Sequence, residues 1–155
     1  MTTTIRLATL DDITQIQRLN EEFWQYNAEL MPYYFNAGKD NGEYPRNMIS
    51  GEDSDIFVAV AEDEIIGIAC VKEDVTPPYA AIVRRKFTHI NDVFVTEEHR
   101  NKGVGKMLVN AVKEWSKARN HDYINLSALS NNKNILDFYA VLGFEVTEYV
   151  MKYRV

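Results

Sequence analysis

The sequence has few of the residues that crosslink a chain or bind a metal. A single cysteine, Cys70, among 155 residues excludes an internal disulfide, and three scattered histidines leave no zinc-ligand spacing. We therefore expect no structural metal. Cys70 lies within the apolar run of residues 68–71, so we interpret it as a core residue and not as a nucleophile.

Long apolar runs and concentrated positive charge are also missing. No run approaches the ~20 apolar residues that cross a bilayer, and the first residues do not resemble a signal or transit peptide. We therefore expect a cytoplasmic protein with no membrane partner. The net charge is −6 and the longest basic run is residues 84–86, so we expect no nucleic-acid partner.

The charge that is present is divided unevenly. Residues 1–75 carry 5 Lys and Arg against 15 Asp and Glu, whereas residues 76–155 carry 12 against 8. Solvated surface charge is one explanation, and a cation site in the first half with an anion site in the second is the other. An apolar share of 46% in 155 residues suits one core. We predict a single domain over residues 1–155.

Hydrophobic periodicity predicts the element order β-α-(α)-β-β-β-α-β-α-β. A strand at residue 5 precedes a long helix from residue 13 to Pro32, and a short second helix is expected near residues 44–50. Residues 55–74 have the pattern of a hairpin, and residues 87–95 and 123–129 that of strands. A helix stopped by Gly143 and one or two closing strands over residues 144–155 follow. The fold class is α/β (α+β), with a mixed, mostly antiparallel sheet of six to seven strands and helices on both faces.

The turn between the strand at residues 87–95 and the next helix has the composition of an anion site. Gly103 and Gly105 carry no Cβ that would obstruct an approach to the free amides of a helix N-terminus. Arg100, Lys102 and Lys106 add positive charge. The pattern lacks the third glycine of a dinucleotide fingerprint and the Lys-Ser/Thr pair of a P-loop. Ordinary helix capping is the alternative.

Two motifs together resemble the GNAT (GCN5-related) N-acetyltransferases. "VTEEHRNKGVG" is similar to the R-x-x-G-x-G/A acetyl-CoA signature, through Arg100, Gly103 and Gly105. "NKNILDFYAVLGF" is similar to the family's second motif, through Asn132 and Tyr139. The resemblance implies the acyl-CoA N-acyltransferase fold and an enzyme that transfers acetyl from acetyl-CoA to a primary amine, by direct attack through a tetrahedral intermediate.

The resemblance also implies which residues hold coenzyme A. The turn would wrap the pyrophosphate, the end of the preceding strand would pair with the pantetheine arm, and two residues further along would contact the same arm. The implied cofactor-binding residues are Val93, Phe94, Val95, Arg100, Asn101, Lys102, Gly103, Val104, Gly105, Lys106, Asn132 and Tyr139.

Transfer of an acyl group to an amine requires a general acid and a general base. Periodicity alone favours a core role for Tyr139 on its helix. The family resemblance makes it the candidate acid, since a phenol of pKa ~10 is protonated at neutral pH. In relatives a Glu on the strand before the turn often serves as the base, but those positions are His89 or Asn91 here. Asp92, expected on the opposite face by strand alternation, and His89 are the two candidates. A solvent-linked acid from the first half of the chain, or no dedicated base, is the alternative.

The acceptor pocket of the family is built from the first two helices, which are aromatic and acidic here. Trp24, Tyr26 and Tyr33 are candidate substrate-binding residues for a small-molecule or peptide amine, and core packing is the alternative for Trp24. A non-catalytic acyl-CoA-binding or sensing domain of the same fold is the alternative function. The closing strands suggest a possible homodimer.

Overall fold

A computed structural model describes residues 2–155, which form five strands and four α-helices. In chain order these are β1 Thr4–Leu7, α1 Ile13–Leu30, α2 Glu43–Ser50, β2 Ser54–Ala61, β3 Glu64–Val75, β4 Lys86–Val95, α3 Val104–Ala118, β5 Ile124–Asn125 and α4 Lys133–Val141. Short 3₁₀ turns precede α1 and α3. The predicted order of helices and strands is confirmed up to α4.

The strands form one mixed sheet in the order β1-β2-β3-β4-β5. The first four strands pair antiparallel and β5 pairs parallel with β4. The turn between β2 and β3 places Glu62 and Asp63 at positive φ, as a tight hairpin requires. The predicted fold class is therefore confirmed.

The predicted number of six to seven strands is wrong. The strand expected over residues 123–129 shrinks to Ile124–Asn125 because β4 and β5 separate after the pair His89–Asn125. Residues 144–155 join no strand, and Tyr149, Met151 and Tyr153 are 86–90% exposed. A two-residue edge strand offers these residues almost no backbone partners.

Each face of the sheet is covered by helices. One apolar cluster packs α3, through Val104, Leu108 and Val112, against β2, β3 and β4. The other packs α1 and α2, through Ile16, Leu19 and Met48, against the opposite face.

No helix within residues 2–155 has both the length and the apolar character needed to cross a bilayer. A single domain and a cytoplasmic location stay predictions.

A β-bulge interrupts the pairing of β3 with β4. Cys70 lies opposite Asp92 and Val71 lies opposite Ile90, so Asn91 is an extra residue on β4. Beyond the bulge, Asp92 contacts Tyr44 of α2, as Asn91 does. The expectation that Asp92 faces away from Asn91 is therefore wrong, because strict alternation fails at a bulge.

Candidate active site

The turn before α3 exposes a continuous row of backbone amides. Asn101 and Gly103 adopt positive φ values of 60° and 84°. The amides of residues 101–106 donate to no backbone or side-chain acceptor within residues 2–155. Adjacent free amides at a helix N-terminus, with the helix dipole behind them, form an anion site. The free amides expected at this turn are present, and their binding of an anion stays a prediction.

The two glycines of the turn are required for different structural reasons, a backbone conformation at Gly103 and a close contact at Gly105. Gly103 lies in the left-handed region, and a Cβ there would meet nothing within 4 Å. A Cβ on Gly105 would lie 3.1 Å from the ring of Phe138 in α4. We expected both glycines to clear space for an anion, but the space beside Gly105 is occupied by Phe138. Gly105 therefore sets the approach of α4 to α3.

The guanidinium of Arg100 packs against protein instead of projecting from the turn. Its Nε donates to the carbonyl of Val95 at 2.9 Å. Its Cζ lies 5.1 Å from the ring centroid of Tyr26 and 5.2 Å from that of Phe94. Arg100 thus ties the end of β4 to α1. Lys102 and Lys106, which are exposed and form no ion pair within residues 2–155, remain the charges beside the free amides.

Beyond the bulge, one edge of β4 lacks a strand partner. Thr96 N–H donates to Ile66 of β3, and the carbonyl of Phe94 also lies towards β3. Backbone groups alternate along a strand, so those of Val93 and Val95 point to the open edge. Phe94 instead packs its ring on Phe23 at 5.3 Å. The prediction that Phe94 offers its backbone is therefore wrong, and the carbonyl of Val95 is already bound by Arg100.

Asn132 is the N-cap residue of α4. Its Oδ1 accepts from the amide of Ile135 at 3.3 Å, as in an N-cap. The neighbouring Asn131 donates from Nδ2 to the carbonyl of Leu30 at 2.6 Å. The start of α4 is thereby fixed to the end of α1, and the Nδ2 of Asn132 has no partner within residues 2–155.

An open cavity of about 410 Å³ lies where β4 bulges beneath α1 and α2. Its lining brings together both candidate bases and one of the candidate substrate residues, and adds two residues that sequence reasoning missed. Tyr44 and Lys72 are the missed residues, because their positions depend on the docking of α2 and on the β3 register. The lining residues are Trp24, Tyr44, Lys72, His89, Asn91 and Asp92.

A directed chain of hydrogen bonds lies along the cavity wall. Asn91 donates from Nδ2 to the hydroxyl of Tyr44 at 3.0 Å, and that hydroxyl donates to Oδ2 of Asp92 at 3.3 Å. The hydroxyl of Tyr44 has a single proton, which it donates to Asp92. Its oxygen can therefore only accept from Asn91, so the NH₂ group of Asn91 must face Tyr44. The Oδ1 of Asn91 is then buried without a partner within residues 2–155. An unsatisfied buried acceptor is destabilising unless a ligand supplies a donor.

Burial shifts the protonation of the groups around Asp92. It raises the pKa of Asp92, against the lowering effects of the Tyr44 hydrogen bond and of the His89 charge. Burial and the charge of Asp92 raise the pKa of Tyr139, which keeps its phenol protonated. Burial likewise raises the pKa of Cys70, so its thiol is a core group. Asp92 and Tyr139 are therefore electrostatically coupled across β4.

The remaining candidates differ in what they contact. His89 shares a hydrogen bond between Nδ1 and Oδ1 of Asn125 at 2.7 Å, so Nδ1 carries a proton and Nε2 is the free ring nitrogen. Tyr26 packs under Arg100, and Tyr33 lies 3.6 Å from the guanidinium carbon of Arg154. Of the three predicted aromatic residues, Trp24 alone lines the cavity.

A family model described as the acetyltransferase (GNAT) family matches residues 13–144, a span that includes the turn, the bulge and α4. The chain belongs to the GNAT acetyltransferase family. The resemblance of the two sequence motifs is thereby confirmed. Membership supports an acyltransferase but leaves the acceptor open.

Two curated relatives of this GNAT protein are similar over most of its length. An uncharacterized N-acetyltransferase of Methanocaldococcus jannaschii is 27% identical over 150 residues, which are 96% of this chain and 63% of that protein. The chain thus spans less than two thirds of that relative. An uncharacterized N-acetyltransferase of Archaeoglobus fulgidus is 27% identical over 137 residues, 88% of each chain.

Solved structures of similar shape extend the comparison. A tetramutant of the BH1408 protein from Bacillus halodurans has a TM-score of 0.92 at 26% identity, covering 98% of this chain and 99% of that one. The aminoglycoside N-acetyltransferase AAC(6')-Iy, solved in complex with CoA, has a TM-score of 0.78 at 21% identity, covering 99% and 95%. This second likeness shows the fold alone.

The residues of this GNAT protein fit coenzyme A, the group that the family implies. Six free amides and two unpaired lysines suit a pyrophosphate, and the open backbone groups of Val93 and of the Val95 amide suit the amides of a pantetheine arm. The Nδ2 of Asn132, at the N-terminus of α4, is a further free donor. Within residues 2–155, no group of three or more His, Cys, Asp or Glu side chains gathers in the manner of a metal site.

Proposed function

We propose that this protein transfers an acetyl group from acetyl-CoA to a primary amine of a small molecule or peptide. The observation that carries the proposal is that one strand, β4, joins the two halves of the site. Its end leads into the free amides of residues 101–106, and its bulge forms the wall of the cavity that holds Asp92. Acetyl-CoA supplies the thioester whose acetyl group moves to the amine.

Asp92 is the proposed general base of the reaction. An alkyl ammonium of pKa near 10 must lose a proton before it can attack. Burial raises the pKa of Asp92, and a raised pKa makes a carboxylate a better proton acceptor at neutral pH. The hydrogen bond from Tyr44 holds Oδ2, which leaves Oδ1 to receive the proton. His89 is the second candidate, through its free Nε2.

Tyr139 is the proposed general acid. Its raised pKa keeps the hydroxyl protonated throughout the physiological range. Edge contacts with Phe138 at 5.0 Å and with Phe144 at 5.3 Å hold the ring in place. A protonated and fixed phenol can deliver its proton to the thiolate of coenzyme A as the acetyl group leaves.

The experiment that tests the proposal is release of free thiol from acetyl-CoA in the presence of amines. Acetyl-CoA with a panel of polyamines, aminoglycosides, amino acids and peptide N-termini should release thiol only with an acceptor present. The alternative is an acyl-CoA-binding sensor, which the absence of a glutamate at His89 and Asn91 favours. A sensor would bind coenzyme A in calorimetry and release no thiol with any acceptor.

We also propose that two copies associate through the C-terminal arm, defined as residues 145–155. The arm alternates an apolar side (Tyr149, Met151, Tyr153) with a charged side, and its apolar side chains are 86–90% exposed. Antiparallel pairing of two arms about Val150 would place Glu148 opposite Lys152 of the second copy. Burial of the exposed rings would stabilise the pair.

A further inference from the structure

The cavity beside β4 contains a cation as well as a carboxylate. Lys72 of β3 and His89 of β4 are direct cross-strand partners, and both line the cavity. Lys72 forms no ion pair or hydrogen bond within residues 2–155. Lys72 is therefore a half-buried cation whose counterion is not supplied by the neighbouring carboxylate.

The two charges lie at different ends of the cavity. Asp92 lies opposite Cys70, which is two residues from Lys72 along β3, so the two positions are ~7 Å apart along the strand. At the Asp92 end, the two carboxylate oxygens are acceptors. At the other end, Lys72 is a donor with three protons. The cavity thus presents acceptors at one end and a cation at the other.

We propose that the natural acceptor carries an anionic group together with its amine, as an amino acid or another amino carboxylate does. This inference rests on the proposed acetyl transfer and names the acceptor class for it. The amine lies at the Asp92 end, where the Asp92 carboxylate accepts one of its N–H bonds, and the carboxylate of the acceptor pairs with Lys72. A polyamine or aminoglycoside would place a second cation beside Lys72, which is unfavourable at short range.

Matched pairs of acceptors test the inference. Each ω-amino acid of two to six carbons is compared with its own neutral amide, which keeps the amine and removes the carboxylate. Thiol release should give a kcat/KM at least tenfold higher for the free acid at the best chain length. Lys72→Met should reduce this acid-to-amide ratio to near one, mainly through KM, and Lys72→Arg should keep most of it. Lys117→Met, on the exposed face of α3 and paired with Glu114, should leave the ratio unchanged.

Equal rates for acid and amide, faster turnover of polyamines, or a preference that survives Lys72→Met would overturn the inference and leave acetyl transfer standing. Calorimetric titration of the same acids and amides in the presence of coenzyme A gives a readout that does not depend on turnover. Tighter binding of the acid by wild type than by Lys72→Met supports the inference even if no thiol is released. Absence of thiol release would contradict only the proposed catalysis. Thermal melts of the variants check that each is folded.

Discussion

At the scale of single residues, the site is organised by one buried carboxylate and the phenols near it. Tyr44 donates to Asp92, and burial together with the charge of Asp92 raises the pKa of Tyr139. Asn91 supplies the other hydrogen bond of Tyr44 and keeps its own carbonyl free. The proposed base and the proposed acid therefore share one electrostatic environment.

Tyr139→Phe removes the proposed acid without removing the ring. We expect kcat to fall about 10²-fold, the lower end of the range for general acid catalysis, with the KM of the acceptor and the melting temperature little changed. Tyr79→Phe, in the exposed loop after β3 and 67% exposed, is the matched control and should behave as wild type. Unchanged turnover in Tyr139→Phe would remove Tyr139 from the mechanism.

Asp92→Asn separates catalysis from stability. Because burial raises the folded-state pKa of Asp92 above that of the unfolded chain, its contribution to stability is present below about pH 4 and is lost as pH rises through the folded value. The variant should lose most of kcat/KM and should also show a smaller decline of stability with rising pH. Urea unfolding between pH 4 and pH 8 measures the second effect.

The pH profile of the wild type checks the same assignment. The acidic limb of log(kcat/KM) should lie above pH 4, where an unperturbed aspartate titrates, and it should be absent from the residual rate of Asp92→Asn. If His89 is the base instead, the limb persists in Asp92→Asn and is lost in His89→Gln.

At the scale of elements, the packing of α4 on α3 places Tyr139. Gly105 at the start of α3 admits the ring of Phe138, whose neighbour in sequence is Tyr139. α4 then ends at Val141, and Gly143, with a φ of 92°, turns the chain so that the amide of Phe144 donates to the carbonyl of Tyr139. The glycine motif thus serves helix packing as well as the proposed anion site.

Gly105→Ala tests this packing role. The new methyl group would lie about 3.1 Å from Phe138, and we expect overpacking of ~1–3 kcal/mol with a loss of kcat as Tyr139 shifts. Phe138→Leu in the same chain should recover part of both losses, which a double-mutant cycle measures. Purely additive effects would show that Gly105 and Phe138 do not act together.

Sequence periodicity predicted the elements better than it predicted their pairing. The spacing of apolar residues was sufficient for α1, α3 and the β2–β3 hairpin, because each buries one regular face. Alternation could not reveal the extra residue Asn91, since a bulge depends on the register of a partner strand. Tyr44 and Lys72 reach the cavity through tertiary docking, for which their neighbours in sequence carry no signal.

His121 shows the same limit outside the site. His121 lies in the turn after α3, where polar residues are usually exposed. Its side chain is buried, and it shares hydrogen bonds with Thr88 at 2.6 Å and Glu73 at 2.8 Å. A polar loop residue can be buried whenever a strand and a helix end meet above it, and no local pattern reports this.

At the scale of the whole molecule, the C-terminal arm leaves its apolar side chains exposed to solvent. Its cations lie over rings of the same copy: Arg154 Cζ is 3.6 Å from the ring centroid of Tyr33, and Lys152 Nζ is 4.0 Å from that of Tyr34. If two arms pair, light scattering after size exclusion should give twice the chain mass. The double variant Tyr149→Lys with Met151→Lys should give a monomer with the same circular dichroism. A wild-type monomer at high micromolar concentration would contradict the proposed pairing.

The central claim is that the free amides before α3 bind coenzyme A and so direct a thioester to the cavity beside β4. Calorimetric titration of coenzyme A into the wild type and two variants tests it most directly. The account predicts measurable binding by the wild type and by Gly103→Asn, since asparagine tolerates positive φ, and binding at least tenfold weaker by Gly103→Val, which cannot hold that turn. No affinity in the wild type, or full affinity in a folded Gly103→Val, would contradict it.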